Sequence, residues 1–173
     1  LKAKIRAKKA YRHPAMGEIS EHLLKRRFKA RKPNEKWLTD VTELKGKDGK
    51  LYLSPILDLF NREIVAYAMS RRADSEMVKE MLEKAAPRLT AKGTMLHSDQ
   101  GVLYRTAEYR KLIAKHSMVQ SMSRKANCWD NAPMESFFAV LKTECFYNAG
   151  ELTVVELMKQ IDDYMDYYNR ERC

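Results

Sequence analysis

Lys36-Trp37-Leu38-Thr39-Asp40-Val41-Thr42-Glu43-Leu44, followed by Gly46-Lys47-Asp48-Gly49 and Leu51-Tyr52-Leu53-Ser54-Pro55-Ile56-Leu57-Asp58-Leu59, decides the fold. The first stretch alternates in polarity, the pattern of a strand with one covered face. The Asp-Gly pair readily supplies a positive φ and predicts a hairpin turn into the second strand. Asn61-Arg62 turns the chain again, and residues 63–69, rich in Ile, Val and Tyr, read as a third strand. Three strands joined by tight turns predict an antiparallel meander.

The pattern then alternates. Asp74 or Ser75 caps a helix with Met77, Val78, Met81, Leu82 and Ala85 at helical spacing, bounded by Pro87 and Gly93. A strand ending at Asp99 follows, then a helix over 106–115, a short strand near 117–122, a loop over 124–130 and a helix from about Asn131. The last helix, 153–169, places Val154, Leu157, Met158, Ile161, Tyr164, Met165 and Tyr168 on one side. The order βββ-α-β-α-β-α-α predicts a mixed α/β domain.

The chain has 173 residues, enough for one domain with a core, and is 45% hydrophobic. No apolar run approaches the roughly 20 residues of a membrane span. The basic start, Leu1-Lys2-Ala3-Lys4-Ile5-Arg6, has no apolar stretch after it and does not read as a secretory signal. Leu1 is not a methionine, so the chain is expected to be a segment of something longer. Cys128, Cys145 and Cys173 are an odd number without CxxC spacing, which argues against a disulfide framework and fits a reducing, cytoplasmic setting. His13 and His22 have no cysteine pair after them at ligand spacing, so a zinc module is not expected.

The net charge of +10 is unevenly placed. Residues 1–33 hold 12 Lys/Arg against two acids, Glu18 and Glu21, and the remainder is neutral. A basic arm on a neutral body suits contact with nucleic-acid phosphates, although a solvated linker has the same composition. Residues 18–28 are expected to form a short helix, with Ile19, Leu23 and Leu24 on one side. Pro33-Asn34 marks a boundary. The expected organisation is a basic arm or linker over 1–33 and a folded core over 34–173.

Asp40 lies inside the first strand, Asp99 ends the run Thr94-Met95-Leu96-His97-Ser98, and Glu135 opens the helix after Asn131-Ala132-Pro133-Met134. Thirty-five residues separate Asp99 from Glu135, and Lys142 follows seven positions later. Alone, each acid reads as a surface or capping residue, and Glu135 suits a helix N-terminus. Asp58 reads as structural, and Asp130 as a loop or cap residue.

Together the spacing resembles the Asp-Asp-(35)-Glu signature of retroviral integrases and integrase-like transposases. The element order matches a ribonuclease-H-like fold, whose first strand, fourth strand and later helix each carry one acid. Pro33-Asn34-Glu35-Lys36-Trp37-Leu38-Thr39-Asp40, His97-Ser98-Asp99-Gln100-Gly101, Ser121-Met122-Ser123-Arg124-Lys125, Asp130-Asn131-Ala132-Pro133-Met134-Glu135-Ser136-Phe137-Phe138 and Tyr167-Tyr168-Asn169-Arg170 resemble the integrase-core (DDE) OrfB transposases of bacterial insertion sequences. The resemblance spans roughly residues 20–173.

It implies metal-dependent cleavage at the 3′ ends of DNA and strand transfer. It implies two Mg²⁺ or Mn²⁺ ions, with Asp40 bridging both and Asp99 and Glu135 each holding one; hard cations of this kind select carboxylate oxygens. The implied partners are element-end and target DNA, further copies of the chain, and an upstream helix-turn-helix region or OrfA protein. The implied location is the bacterial cytoplasm, at the nucleoid.

Among the neighbours, Lys142 shares a helical face with Glu135 and is expected near the cleaved bond, or reads as an exposed lysine. His97, Ser98 and Gln100 bracket Asp99; His97 reads equally as a phosphate-positioning group and as a satisfied core histidine. Asn131 is expected to cap the helix bearing Glu135 and to approach DNA. Arg124 and Lys125 are expected to contact phosphates. Trp129 reads as a core residue in preference to a base-stacking wedge. The rival functions are a ribonuclease-H-like or junction nuclease, which would need a fourth acid such as Asp58 or Asp130, and a non-catalytic DNA-binding remnant.

Overall fold

The computed structural model describes residues 17–89, 92–125, 127–146 and 151–171. His13, Cys173 and the first half of the basic arm lie outside the described residues. Strands β1 (Lys36–Thr39), β2 (Thr42–Gly46), β3 (Gly49–Asp58) and β4 (Ile64–Ser70) form the antiparallel part of one sheet. β5 (Met95–Ser98) and β6 (Val119–Met122) extend it in parallel, β5 beside β1 and β6 beside β5. The helices are α1 (Ser75–Ala85), α2 (Ala107–Lys115), α3 (Ala132–Leu141) and α4 (Val154–Glu171). A π-helical turn, Lys142–Phe146, continues α3.

The sheet carries a core on each face. On one side Leu38, Leu53 and Leu57 meet Met134, Phe137 and Leu141 of α3 and Leu157, Ile161 and Met165 of α4. On the other, Trp37, Ile56 and Leu96 meet Met77, Met81 and Leu82 of α1 and Tyr109 and Ile113 of α2. Adjacent strand residues such as Trp37 and Leu38 thus serve opposite cores, as the two-residue period of a strand requires.

The helix starts follow local chemistry. Asp74 accepts from the Met77 amide at 3.1 Å and Thr106 from the Tyr109 amide at 3.1 Å. Thr153 and Glu156 form a reciprocal capping box at α4: the Thr153 amide donates to Glu156 at 2.8 Å, and the Glu156 amide to Thr153 Oγ1 at 3.3 Å.

Two expectations are corrected here. The single strand expected over 36–44 is two, β1 and β2, paired to the same edge of β3 in one unbroken register (Thr39↔Ile56, Thr42↔Leu53). Continuing that register sets Pro55 opposite Asp40. Proline has no N–H to give the ladder, and Thr39 Oγ1 donates to the Pro55 carbonyl at 2.9 Å.

Residues 18–28 are not a helix. They run extended to a turn at Lys25 and Arg26, both with positive φ. Backbone hydrogen bonds that a helix would keep to itself go elsewhere: the Leu23 and Leu24 amides donate to Ser121 Oγ at 3.0 and 3.1 Å, and Glu21 O accepts from the Met122 amide at 3.1 Å. Leu24 is 1% exposed and joins the core beside α3.

Candidate active site

β1 and β5 run parallel with Leu38 opposite His97. Asp40 and Asp99 each follow two residues later, so both acids leave the sheet at the same level. α3 packs across β1 and delivers Glu135 from its first turn. The three acids line one open cleft of about 560 Å³ with Gln100, Gly101, Ser123, Arg124, Lys125, Asn127 and Asn131.

The carboxyl group of Asp40 is pushed up to about 7. Burial is the main cause, followed by the charge of Asp99 and, more weakly, that of Glu135, against a lowering hydrogen bond from the Val41 amide at 2.8 Å. Asp99 is fixed by its own turn: the Gly101 amide donates to Oδ1 at 2.8 Å. A methyl group at position 101 would lie 2.8 Å from that oxygen, so glycine there gives the carboxylate its room. Among the described residues no three His, Cys, Asp or Glu side chains form a ready-made metal cage. The chemistry of the donors nonetheless fits a hard divalent cation: oxygen ligands only, mutually repelling, with the Asp40 carboxyl raised mainly by burial and then by its acidic neighbours.

The expected neighbours divide. Lys125 and Gln100 line the cleft, and Gln100 donates to Ser123 O at 3.0 Å. Asn131 also lines it and occupies the N-cap position of α3, but its side chain makes no capping bond; its Nδ2 donates to Thr39 O at 3.3 Å, tying the start of α3 to the end of β1. Lys142 stands at the end of α3, outside the cleft walls.

Arg124 lines the cleft with Nε and Nη2 both donating to Asp130, at 2.9 and 2.8 Å. Trp129 is 69% exposed and not core, because the short turn that carries it buries Asp130 instead. Asp58 is structural: it accepts from the Asn34 and Phe60 amides at 2.8 and 2.9 Å.

His97 is a satisfied core histidine. Nδ1 lies 2.8 Å from Ser121 Oγ and Nε2 3.1 Å from Ser123 Oγ. Ser121 Oγ already accepts two amide hydrogens, so its own hydrogen goes to Nδ1 and Nε2–H donates to Ser123. Burial, and then His22, lowers the imidazole to about 4, which keeps it neutral.

Sequence reasoning missed Gly101, Asn127 and the depth of Asp130. Gly101 was visible as the third residue of Asp-x-Gly, where an aspartate accepts from the amide two residues on. Asn127 and Asp130 carry no local signal, since Arg26 reaches both from about a hundred residues away.

Residues 30–128 match an integrase core domain model, and residues 135–173 match a second integrase core domain model. This chain belongs to the integrase core family. A transposase-like protein of Haemophilus influenzae is 49% identical over 157 residues, 91% of this chain and 73% of that protein. The putative transposase InsK for insertion sequence element IS150 of Escherichia coli K12 is 46% identical over 175 residues, 99% of this chain and 62% of that protein.

The integrase core resembles solved structures at low identity. The HTLV-2 integrase catalytic core in complex with magnesium, in dimeric form, has a TM-score of 0.66 at 18% identity, covering 81% of this chain and 89% of that one. A chain of the simian T-cell lymphotropic virus intasome has a TM-score of 0.68 at 19% identity, covering 91% and 52%. The fold is therefore ribonuclease-H-like. By its relatives this is a transposase catalytic core, and it spans about three-fifths to three-quarters of the length of the two relatives named. Among the described residues no helix is long and apolar enough to cross a membrane.

Proposed function

We propose that this integrase core cleaves DNA at the 3′ ends of an insertion sequence and joins those ends to a second site, with Asp40, Asp99 and Glu135 as its catalytic carboxylates. The observation that carries the reading is their meeting in one cleft from three elements distant in sequence. The raised Asp40 carboxyl supports it, since carboxylates gathered without a countercharge call for a cation. Mg²⁺ or Mn²⁺ held by these three would activate the attacking oxygen and relieve charge on the leaving one.

The chemistry balances without an external energy source. In cleavage a water oxygen bonds to phosphorus and the P–O3′ bond breaks, leaving a 3′-hydroxyl. In joining, that hydroxyl oxygen attacks a second phosphorus, its proton goes to solvent, and another P–O3′ bond breaks. One phosphodiester is exchanged for another.

The chain's own residues bind and orient. Lys125, which forms no ion pair among the described residues, supplies a positive charge in the cleft wall for a phosphate. The Gly101 amide fixes one oxygen of Asp99. Asn131 holds the start of α3 to β1, so Glu135 keeps its place beside Asp40. Exposed Lys25, Arg27, Lys29, Arg31 and Lys32 give the preceding segment a cationic surface suited to flanking phosphates.

The working partners we propose are element-end and target DNA, further copies of the chain, in line with the dimeric integrase core and the intasome it resembles, and an upstream helix-turn-helix region or OrfA protein, in a cytoplasmic, nucleoid-associated setting. Among the described residues the cleft holds no fourth acid of the kind a ribonuclease H or junction nuclease would need, and Asp58 and Asp130 are both engaged elsewhere. Disintegration, the resealing of a pre-branched DNA, tests the reading without the upstream region. Mn²⁺-dependent resealing by the wild type that vanishes in Asp99→Asn is expected. Resealing that survives Asp99→Asn would refute the assignment.

A further inference from the structure

Asp130 is a buried carboxylate at 0% exposure, yet it takes no part in the cleft that holds the three acids. Its bonds account for both oxygens. Arg26 Nε donates to Oδ1 at 2.8 Å, as does Arg124 Nη2, also at 2.8 Å. The Arg124 amide and Nε donate to Oδ2 at 3.0 and 2.9 Å. His22 Nε2 stands 3.7 Å from Oδ2, and Arg26 Nη2 donates onward to Asn127 Oδ1 at 2.9 Å. These bonds hold the carboxyl of Asp130 far below the usual carboxylate range, Arg124 contributing most.

The placement of these partners matters more than their number. Arg26 belongs to the segment before β1. Arg124 and Asn127 belong to the loop between β6 and α3, which forms one wall of the cleft. Asp130 immediately precedes Asn131, which bonds to Thr39 O beside Asp40, and lies five residues before Glu135. One carboxylate therefore joins the incoming chain, the loop and the start of the helix that delivers the third acid. Arg124 binds it through a planar fork, with main-chain support from its own amide, a geometry lysine does not reproduce.

We infer that Asp130 is a positioning residue for strand cleavage and joining: it locks the segment around Arg26 to the Arg124–Asn127 loop and so holds α3 with Glu135 in register over Asp40. Arg26 and Arg124 act on the reaction through Asp130 and not through DNA phosphates. This rests on the proposed function for its catalytic readout, while its mechanical part does not.

Two kinds of measurement on the full chain test it. In disintegration, Asp130→Asn is expected to lower kcat by at least about tenfold, because small displacements of reacting groups are costly. DNA affinity and its dependence on salt stay as in the wild type. Arg124→Lys keeps the charge but loses the fork, so it falls in kcat as Asp130→Asn does, and the double variant is no worse than either single one. Arg26→Gln, at a half-exposed side chain, removes one leg without burying a lone charge and lowers kcat more mildly.

The mechanical readout is acrylamide quenching. Of the two tryptophans Trp37 is fully buried and Trp129 exposed, so quenching reports the loop. It is expected to rise in Asp130→Asn and Arg26→Gln at unchanged far-ultraviolet circular dichroism.

Wild-type kcat in these variants would overturn the inference. So would weaker DNA binding by Arg26→Gln with a salt slope reduced by about one, the mark of a phosphate contact. A wild type that reseals nothing would count against the proposed function; Trp129 quenching that does not change in the variants would then still overturn the clamp.

Discussion

Pro55 stands opposite Asp40 in the register that β1 and β2 share against β3. The strand edge loses one amide donor at the residue that must turn its carboxylate toward the cleft. The Val41 amide, next along, is taken by the Asp40 side chain itself. Pro55→Ala returns an N–H to that position. The expected stability change is small, about 0.4–1 kcal/mol through the freer unfolded chain. Disintegration is expected to fall by about tenfold or more as Asp40 shifts. Thermal melts and single-turnover rates on the same preparation separate the two effects.

Gly101→Ala asks a narrower question. Backbone strain is not at issue, because Gly101 has φ −55° and ψ 148°, open to any residue. The added methyl meets Asp99 Oδ1 at 2.8 Å. Activity is expected to drop by about 10–100-fold with an almost unchanged Tm. Unimpaired turnover would show that the hydrogen bond from the Gly101 amide does not set the working position of Asp99.

Asp40 makes the metal-free protein less stable as pH rises. Its folded carboxyl titrates at about 7 against 3.8 ordinarily, so between those values the folded state holds a proton that the unfolded chain has released. The associated stability is present below about pH 4 and is lost as pH rises through 7. Asp40→Asn abolishes the titration. The variant is expected to exceed the wild type by about 1–3 kcal/mol at pH 8, from about 1.4 kcal/mol per pKa unit, and to match it near pH 4. Urea melts in chelator at both pH values measure this; an equal difference at the two would exclude Asp40 as the source.

Ser121→Ala strikes the joint between the preceding segment and the sheet. One hydroxyl accepts from two amides and donates to His97. Its loss leaves the Leu23 and Leu24 amides and His97 Nδ1 without that partner, at an expected cost of about 2–4 kcal/mol. Hydrogen exchange is expected to accelerate first at Leu23 and Leu24.

The meander and the alternation after it were legible in the sequence because each has a short-range cause, whereas Asp40, Asp99 and Glu135 stood out only through the resemblance of their spacing to the integrase signature, and the structure brings them to one cleft. Strand alternation, Asp74 and Thr106 as caps, and the Lys47-Asp48 hairpin depend on neighbours a few residues away. The break at Asp40 was hidden because it is caused by Pro55 across the sheet. Residues 18–28 carry helical spacing at Ile19, Leu23 and Leu24, but the amides of Leu23 and Leu24 are claimed by Ser121, and tertiary hydrogen bonds override the local pattern. The bonds between Arg124 and Asp130 were hidden because Asp130 reads in the sequence as a loop or cap residue. Trp129 looked like core because the burial falls on the charged residue beside it, which only the ion pairs to Arg26 and Arg124 explain.

Mn²⁺ titration of the full chain by calorimetry, at pH 6 and pH 8, tests most directly whether Asp40, Asp99 and Glu135 act as one metal-binding group. The wild type is expected to bind at both pH values, releasing protons at pH 6, where Asp40 is still protonated, and few at pH 8. Asp40→Ala, Asp99→Ala and Glu135→Ala are each expected to abolish or greatly weaken binding. Mn²⁺ affinity that is unchanged by these three substitutions would contradict the shared site.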